Sequence, residues 1–435
     1  MTAEEGWSGP GTVALQTVGC KLNQAETDSL ARKFLKAGYQ VVAPDDVADI
    51  YLLNTCTVTH IADRKCRKLL RLAHRRNPCA LIAATGCYAQ RAPQELAGSE
   101  GVELVIGNGD KDKVVEIIEN RLNEHRTPVK REAPQRPHFR TRAMVGIQEG
   151  CSQPCSFCIV PRVRGPEKSR PREELIADVR ERVAEGYKEV ILTGTRIGRY
   201  NHDSLPGLIK SILAKIDLPR LRLSSLEPPD LTPDLLGLWE DRRLCPHIHL
   251  PLQSGSDTVL KRMRRSYSTA EYRQAVALAR EAIPGLSLTT DIMVGFPGES
   301  EEEFTESYRF CERTGFAGMH VFPYSPRPGT GAANMENTVS DREKKRRSRL
   351  MLDLARRSSL SFQEQLLGRD MKVLWETKKG GTWYGLTDNY FRVFLSSREP
   401  LGNELLWTNI LAREENGLRG ELADREIETQ RAGGL

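Results

Sequence analysis

From residue 12 to residue 324, short apolar runs that read as strands alternate with longer amphipathic stretches that read as helices. This alternation constrains the fold more than any other feature. A strand–helix–strand unit brings the chain back parallel to itself, so the expected architecture is a parallel sheet with helices on its faces. The first strands are TVALQTV (12–18), DIYLLNT (49–55), ALIAAT (80–85) and ELVIG (103–107), with helices over 23–37, 60–76 and 110–122. Residues 123–142 break the pattern with three prolines, a basic surplus and no apolar periodicity, and read as a linker. The alternation resumes with strands over 143–148, 189–194, 220–225, 247–252, 286–295 and 319–324, and helices between them. Six such units are too few for a closed eight-unit barrel and fit an open, partial one. A long basic helix over 340–367 follows. Residues 368–425 then turn short-stranded and β-rich, which suggests a small antiparallel barrel. The expected fold is therefore α/β. It has a parallel α/β domain over 12–122, a linker over 123–142, a partial (β/α)6 barrel plus long helix over 143–367, and a small β-barrel over 368–430.

No run approaches the ~18 uninterrupted apolar residues of a membrane span. The start, MTAEEGWSGPGTVALQ, lacks the basic and apolar regions of a signal peptide. A cytoplasmic protein with no membrane partner is the expectation. Ten cysteines in such a chain suggest metal ligands or catalysts rather than disulfides. The formal net charge of +6 is mild, but its distribution is uneven. Residues 61–76 hold seven Lys or Arg against one acid, 121–142 seven against two, and 341–357 eight against three. Each alone reads as a solvated helix face; together they suggest a polyanionic partner.

The sharpest motif is GCSQPCSFCIVPRVRG, in which Cys151, Cys155 and Cys158 stand in C-x3-C-x2-C spacing just past the first barrel strand. Active sites of β/α barrels lie at that end of the strands. Three thiolates on one loop can hold three irons of a [4Fe–4S] cubane and leave the fourth open to a small chelating molecule. Zinc is the rival, but structural zinc takes four ligands, usually in C-x2-C pairs. A second trio is scattered: Cys20 in TVGCKLNQAETD, Cys56 in LLNTCTVTHIADRK and Cys87 in AATGCYAQRAP. Each follows a strand of the first domain, and parallel strands bring their C-terminal ends to one sheet edge. The three should meet in space and hold a second cluster. Cys66, Cys79, Cys245 and Cys311 lack this context and are given no role, and His60, His74 and His320 are read as ordinary.

The C-x3-C-x2-C loop resembles that of the radical S-adenosylmethionine enzymes, whose open iron chelates S-adenosylmethionine and whose cluster electron cleaves it to a 5′-deoxyadenosyl radical. The segments around Cys20, Cys56 and Cys87 resemble the N-terminal domain of the methylthiotransferases, and the three-part plan resembles that family over nearly all of 12–425. Its C-terminal barrel is of the TRAM type. The resemblance implies two [4Fe–4S] clusters of three cysteines each, S-adenosylmethionine as methyl donor and radical source, and a tRNA substrate read at its anticodon stem-loop. It also implies an electron donor such as flavodoxin or ferredoxin, and a monomer. GCKLNQAET and TGCYAQ look like the branch acting on threonylcarbamoyladenosine. The branches acting on isopentenyladenosine and on a ribosomal-protein aspartate usually read GCQMN and GCPKN there. The implied reaction replaces the C2 hydrogen of an adenine, which is neither acidic nor electrophilic, so a radical is needed where general acid–base catalysis has no handle. A non-catalytic RNA-binding iron–sulfur protein would leave the C-x3-C-x2-C loop unexplained.

Further candidates to touch S-adenosylmethionine stand at strand ends: Gly194 and Thr195 in LTGTRIGRY, Ser224 and Glu227 in RLSSLEP, and Gln253 and Ser254 in HLPLQSGSD. The common Gly-Gly-Glu of the superfamily is Gly194–Thr195–Arg196 here. DIMVGFPGES (291–300) resembles the adenine-side segment, and Arg327 is a candidate for a phosphate or carboxylate. The last barrel offers Trp375, Trp383, Tyr384, Tyr390, Phe391 and Phe394 among basic residues for stacking on splayed bases.

Overall fold

The computed structural model describes residues 11–123, 141–336, 338–415 and 417–423. The expected linker over 123–142 and the end of the last expected domain lie almost wholly and partly, respectively, outside the described residues.

The first unit is a parallel sheet of β1 (Thr12–Thr17), β2 (Gln40–Val42), β3 (Ile50–Thr55), β4 (Leu81–Gly86) and β5 (Val102–Ile106), in the order β2-β1-β3-β4-β5. Its helices are α1 (Lys21–Lys36), α2 (His60–Arg76), α3 (Cys87–Arg91), α4 (Pro93–Ala97) and α5 (Val114–Asn123). Every residue of β3 and β4 is buried, as in a sheet covered on both faces. The three-residue β2 was not expected, because so short a strand shows no periodicity.

The second unit is an open barrel built from β6 (Arg142–Glu149), β7 (Lys168–Ser169), β8 (Glu189–Gly194), β9 (Arg220–Leu223), β10 (His247–His249), β11 (Ser287–Val294) and β12 (Gly318–Pro323). Two sheets, β7-β6-β8-β9 and β10-β11-β12, are joined by single bridges at Leu221–Leu244 and Ser225–His249. Apart from the short antiparallel β7, the strands are parallel. Around them run α6 (Val160–Arg164), α7 (Arg172–Ala184), α8 (Leu205–Lys215), α9 (Pro233–Leu236), α10 (Asp257–Arg262), α11 (Thr269–Ala282), α12 (Glu301–Thr314) and α13 (Asp341–Glu364).

Strand side chains alternate between faces, and here the two faces differ in chemistry. Val145, Ile147, Val190, Leu192, Leu221, Ile248 and Ile292 point outward and pack with the helices in one large core. The intervening inward positions include Arg142, Glu189, Arg222, His249, Asp291 and His320. On this inner side α1 packs: Ala25 meets Met144 and Ile191, and a Cβ on Gly146 would lie 3.2 Å from Leu22. The first unit thus covers part of the open barrel's inner face.

The third unit is a closed barrel of β13 (Asp370–Lys379), β14 (Thr382–Thr387), β15 (Arg392–Ser396), β16 (Leu405–Glu414) and β17 (Gly417–Leu422), in the order β13-β14-β15-β17-β16. It is not antiparallel throughout, because β15 and β17 pair parallel. A closed ring of five strands cannot alternate direction all the way round, so one parallel seam is unavoidable. Among the described residues no helix is long and apolar enough to cross a membrane.

Candidate active site

Cys20, Cys56 and Cys87 directly follow, or follow within three residues, the ends of β1, β3 and β4, which are neighbours in the sheet. Two polar side chains stitch the three loops together. The Asn23 amide donates to the carbonyls of Val18 (3.1 Å) and Thr55 (3.0 Å), and its Oδ1 accepts from the Cys20 thiol (3.3 Å). The Thr55 hydroxyl donates to the Thr85 carbonyl (2.5 Å) and accepts from the Ala89 N–H (3.2 Å), tying the Cys56 loop to the Cys87 helix. Gly19 has φ 127°, and a Cβ there would lie 2.9 Å from Cβ of Cys56, so only glycine lets the Cys20 and Cys56 loops approach this closely.

Cys151, Cys155 and Cys158 lie on the loop after β6. Gly150 precedes them at φ 76°, where a Cβ would lie 1.9 Å from the Pro166 carbonyl oxygen. The Gln153 N–H donates to Cys151 Sγ (3.4 Å) and Arg265 Nη1 to Cys155 Sγ (3.2 Å). Arg265 is itself held by Glu227 (2.7 Å), which Arg196 (2.5 Å) and Gln153 (3.0 Å) also reach. Burial pushes the Cys56 and Cys158 thiols up to about 12, opposed in part by backbone N–H donors at Val58 and Val160. Burial also raises Cys87 and Cys151. Iron would reverse this, since a coordinating thiol is deprotonated outright. Sulfur atoms with N–H and guanidinium donors aimed at them fit an iron–sulfur cluster, whose potential such bonds tune.

The segments that carry the two trios touch. Ile159 and Val163, immediately beyond Cys158, pack on Cys87. Arg164 reaches back to Glu26 (2.6 Å) and Asn23 (2.9 Å), and Asn108 donates to the Val163 carbonyl (2.6 Å). Burial alone would raise the Glu26 carboxyl, but Lys111 and Arg164 hold it down at about 2. On the far side Arg327, 1% exposed, pairs with Asp63 (2.6 Å) at the start of α2. Arg327 is therefore a clamp between the two units, with its Nε and Nη2 without hydrogen-bond partners among the described residues.

The strand-end candidates divide by their bonding. Among the described residues, Thr195 Oγ1, Ser224 Oγ and Gln253 Oε1 are buried polar atoms with no hydrogen-bond partner. Such atoms cost free energy unless a ligand pairs with them, so they fit a polar cofactor at this end of the barrel. Gln253 also holds φ 68°, a strained value for a non-glycine residue. Gly194 packs against β6, with a Cβ there only 2.6 Å from the Gln148 carbonyl oxygen. Ser254 is fully buried and its Oγ accepts from the Ser256 N–H (3.3 Å). The Glu227 carboxylate is taken up by Arg196, Arg265 and Gln153, so it is placed to fix Arg265 against Cys155. Sequence reasoning did not single out Arg265, Arg164 or Asn23: the last two stand inside the quoted cysteine motifs, but nothing in the cysteine spacing marks them. His320, read as ordinary, stands inside the barrel with His249 and Asp291; inward alternation along HIHLPL and LSLTTDIMVG was the available signal. Cys66 is buried with its thiol toward the Cys56 carbonyl (3.6 Å), while Cys245 and Cys311 are core residues.

Of the aromatics in the last barrel, Trp375 and Trp383 are buried in its core. Phe391 stacks on Phe362 of α13 at 5.2 Å, and Tyr390 inserts toward Arg222 and His247. Of the six, only Tyr384 and Phe394 pair with each other away from these contacts, with ring centres 6.2 Å apart. The basic surplus of α13 is partly consumed by ion pairs of Arg346 and Arg347 with Glu299, Glu301 and Glu343. On α2, Arg64, Lys65, Lys68 and Arg71 are exposed and lead away from Cys56.

The Radical SAM superfamily matches residues 145–311, and a family described as "Uncharacterized protein family UPF0004" matches residues 12–107. A protein named threonylcarbamoyladenosine tRNA methylthiotransferase MtaB, from Bacillus subtilis, is 37% identical over 92% of this chain and 94% of its own length. The Aquifex aeolicus protein of the same name is 39% identical over 83% of this chain and 92% of its own. A tRNA-2-methylthio-N(6)-dimethylallyladenosine synthase from Methylacidiphilum infernorum is 34% identical over 92% of each. Among solved structures, the radical S-adenosylmethionine methyltransferase TsrM from Kitasatospora setae superposes with a TM-score of 0.56 at 15% identity, over 74% of this chain and 77% of that one, a likeness of fold alone.

Proposed function

Since the chain belongs to the radical S-adenosylmethionine tRNA methylthiotransferases, a family that implies a [4Fe–4S] cluster and S-adenosylmethionine, we propose that it inserts a methylthio group at C2 of N6-threonylcarbamoyladenosine at position 37 of tRNA, next to the anticodon. In this reading Cys151, Cys155 and Cys158 hold the radical-generating cluster, and Cys20, Cys56 and Cys87 hold a second one. When bound, the first supplies the electron that cleaves S-adenosylmethionine, and the second carries the sulfur to be methylated and transferred. The observation that carries the reading is the contact of Cys87 with Ile159 and Val163, which joins the segments bearing the two cysteine trios.

The chain's own groups then have defined tasks. Asn23 and Thr55 hold the second trio in one place, and Arg265, fixed by Glu227, places a positive charge on Cys155. Gly194 and the unpartnered Thr195, Ser224 and Gln253 hold S-adenosylmethionine at the strand ends, with Ser254 shaping the same turn. The exposed basic face of α2 binds tRNA phosphates near the site, and the last barrel adds a second RNA contact. The domain division is 12–122 for the second cluster, a basic linker over 123–142, 143–367 for the radical chemistry and 368–430 for RNA. A cytoplasmic monomer reduced by a flavodoxin or ferredoxin completes the proposal. Threonylcarbamoyladenosine is favoured because the 37% and 39% identical relatives carry that substrate in their names, against 34% and 35% for relatives named for the dimethylallyl substrate.

The test is mass spectrometry of nucleosides from tRNA incubated anaerobically with the reconstituted protein, dithionite and S-adenosylmethionine. A methylthio mass gain on threonylcarbamoyladenosine and not on isopentenyladenosine is expected. A gain only on the latter keeps the chemistry and overturns the substrate.

A further inference from the structure

The inner face of the open barrel carries charge that the cysteine chemistry leaves unused. Lys21, next to Cys20, projects from α1 with its ammonium 5.4 Å from the centre of the Tyr390 ring. The same ring meets the guanidinium groups of Arg222 at 4.6 Å and Arg142 at 5.5 Å. These arginines have carboxylate partners: Arg142 pairs with Glu376 (2.8 Å), while Arg222 (2.7 Å) and Arg220 (3.6 Å) share Glu189. Lys21 makes no hydrogen bond or ion pair among the described residues.

On the neighbouring strands stand His249, Asp291 and His320. Asp291 and His320 are register partners, Asp291 lies 3.4 Å from His249 Nε2, and one ligand atom from each of the three falls within 4.8 Å of the others. All three keep access to solvent, whereas the outward neighbours Ile248 and Ile292 are 1% and 0% exposed. The space they see is therefore the barrel interior. Lys21 enters the same space, because the Tyr390 ring it faces also meets the ring of His247, two residues from His249 on β10, with centres 4.9 Å apart. Four cationic heads (Lys21, Arg142, Arg220, Arg222) face three carboxylates (Glu189, Glu376, Asp291), which leaves one positive charge uncompensated. The three side chains could also chelate a divalent cation, but an unpaired ammonium beside them opposes a further positive charge.

We propose that Lys21, with His249, Asp291 and His320, forms the pocket for a carboxylate-bearing substituent on N6 of the target adenine, and that this pocket discriminates against apolar substituents. The inference rests on the threonylcarbamoyladenosine reading and names the residues that impose it. C2 and C6 of adenine both flank N1, so a group on N6 projects from the same edge of the ring as the reacting carbon and has to be housed beside it. The threonylcarbamoyl group brings a carboxylate, a hydroxyl and a ureido N–H. The ammonium takes the carboxylate, and the imidazoles and Asp291 take the hydroxyl and N–H. An isopentenyl group offers none of these and leaves the ammonium without an anionic partner, the situation in which a polar site rejects an apolar analogue most strongly.

The test uses reconstituted enzyme and three anticodon stem-loops that carry threonylcarbamoyladenosine, its carboxyl methyl ester, or isopentenyladenosine. Both kcat/KM for methylthio product and Kd from fluorescence anisotropy are read as the ratio of free acid to ester. A ratio within one preparation is insensitive to how much of it is folded or loaded. The wild type is expected to prefer the acid by roughly ten- to hundredfold, the range of a charge-assisted hydrogen bond. Lys21→Gln should collapse that ratio toward one, and Lys21→Arg should keep most of it. A wild type indifferent to esterification, or a Lys21→Gln variant that keeps the full preference, overturns the pocket while leaving the substrate reading intact. A wild type that thiomethylates only the isopentenyl stem-loop overturns the substrate reading and the pocket with it.

Discussion

Glu189, the first residue of β8, and Arg222 on the neighbouring β9 are both 0% exposed and joined at 2.7 and 3.2 Å, with Arg220 within 3.6 Å. Replacing Glu189 with Gln keeps the shape and removes the charge. Burial alone would raise the Glu189 carboxyl, but Arg222, then Arg220 and Arg142, outweigh it and hold it down at about 2, against an ordinary 4.5. That difference corresponds to about 3 kcal/mol of stability. Breaking a buried pair from one side, which strands the other charge, costs a similar ~3–5 kcal/mol. Because the folded value is depressed, the contribution is fully present above pH 4.5 and is lost as pH falls through 4.5 toward 2. Urea unfolding of both proteins by circular dichroism should show Glu189→Gln about 3 kcal/mol less stable at pH 7. The gap should close progressively as the wild type is acidified below pH 4.5. Removing both charges with Glu189→Met and Arg222→Met should recover much of the deficit, since an apolar pair of similar volume leaves no stranded charge. A deficit below about 1 kcal/mol, or a gap independent of pH, would refute the assignment of this pair as the electrostatic anchor of the barrel floor.

Other substitutions separate the proposed roles. Cys151→Ala should abolish S-adenosylmethionine cleavage, while Cys56→Ala should spare uncoupled cleavage and stop methylthio transfer; a Cys56→Ala protein that still thiomethylates RNA contradicts the second trio. Arg265→Met should lower cleavage by roughly ten- to hundredfold, as removing a partner of a metal ligand does, with partial recovery in Arg265→Lys; full activity in Arg265→Met would assign the Cys155 contact no role. Reversing Arg64, Lys65 and Lys68 to Glu should weaken tRNA binding and reduce its salt slope by about one for each phosphate no longer neutralised; an unchanged slope would move the RNA interface elsewhere.

Much of this protein is legible along the chain. The strand–helix alternation marked the two α/β units, and strand ends located all six proposed ligand cysteines, because a parallel sheet places every strand's C-terminal end at one edge. Glycine before Cys20 and Cys151 was equally visible, although its reason, a 2.9 or 1.9 Å encounter with another loop, was not. The closure of the last barrel was readable, but its parallel seam was not, since pairing direction depends on which strands become neighbours.

Long-range packing decided the remainder. Asn23 binds the Thr55 carbonyl across 32 residues, and Arg327 pairs with Asp63 across 264. No local periodicity encodes such partners. Glu227 and Arg327 are both charged residues near strand ends, yet one is consumed in fixing Arg265 and the other clamps two units. Tyr390 reads as an RNA-stacking aromatic and instead sits against Arg222 and His247. Short-range periodicity was enough to settle the longer strands and helices and where thiols stand on them, and that much is written in the order of residues alone. Which charges stay unpaired inside the barrel, Lys21 among them, was set only when three units packed together, because neutralisation is a property of neighbours in space.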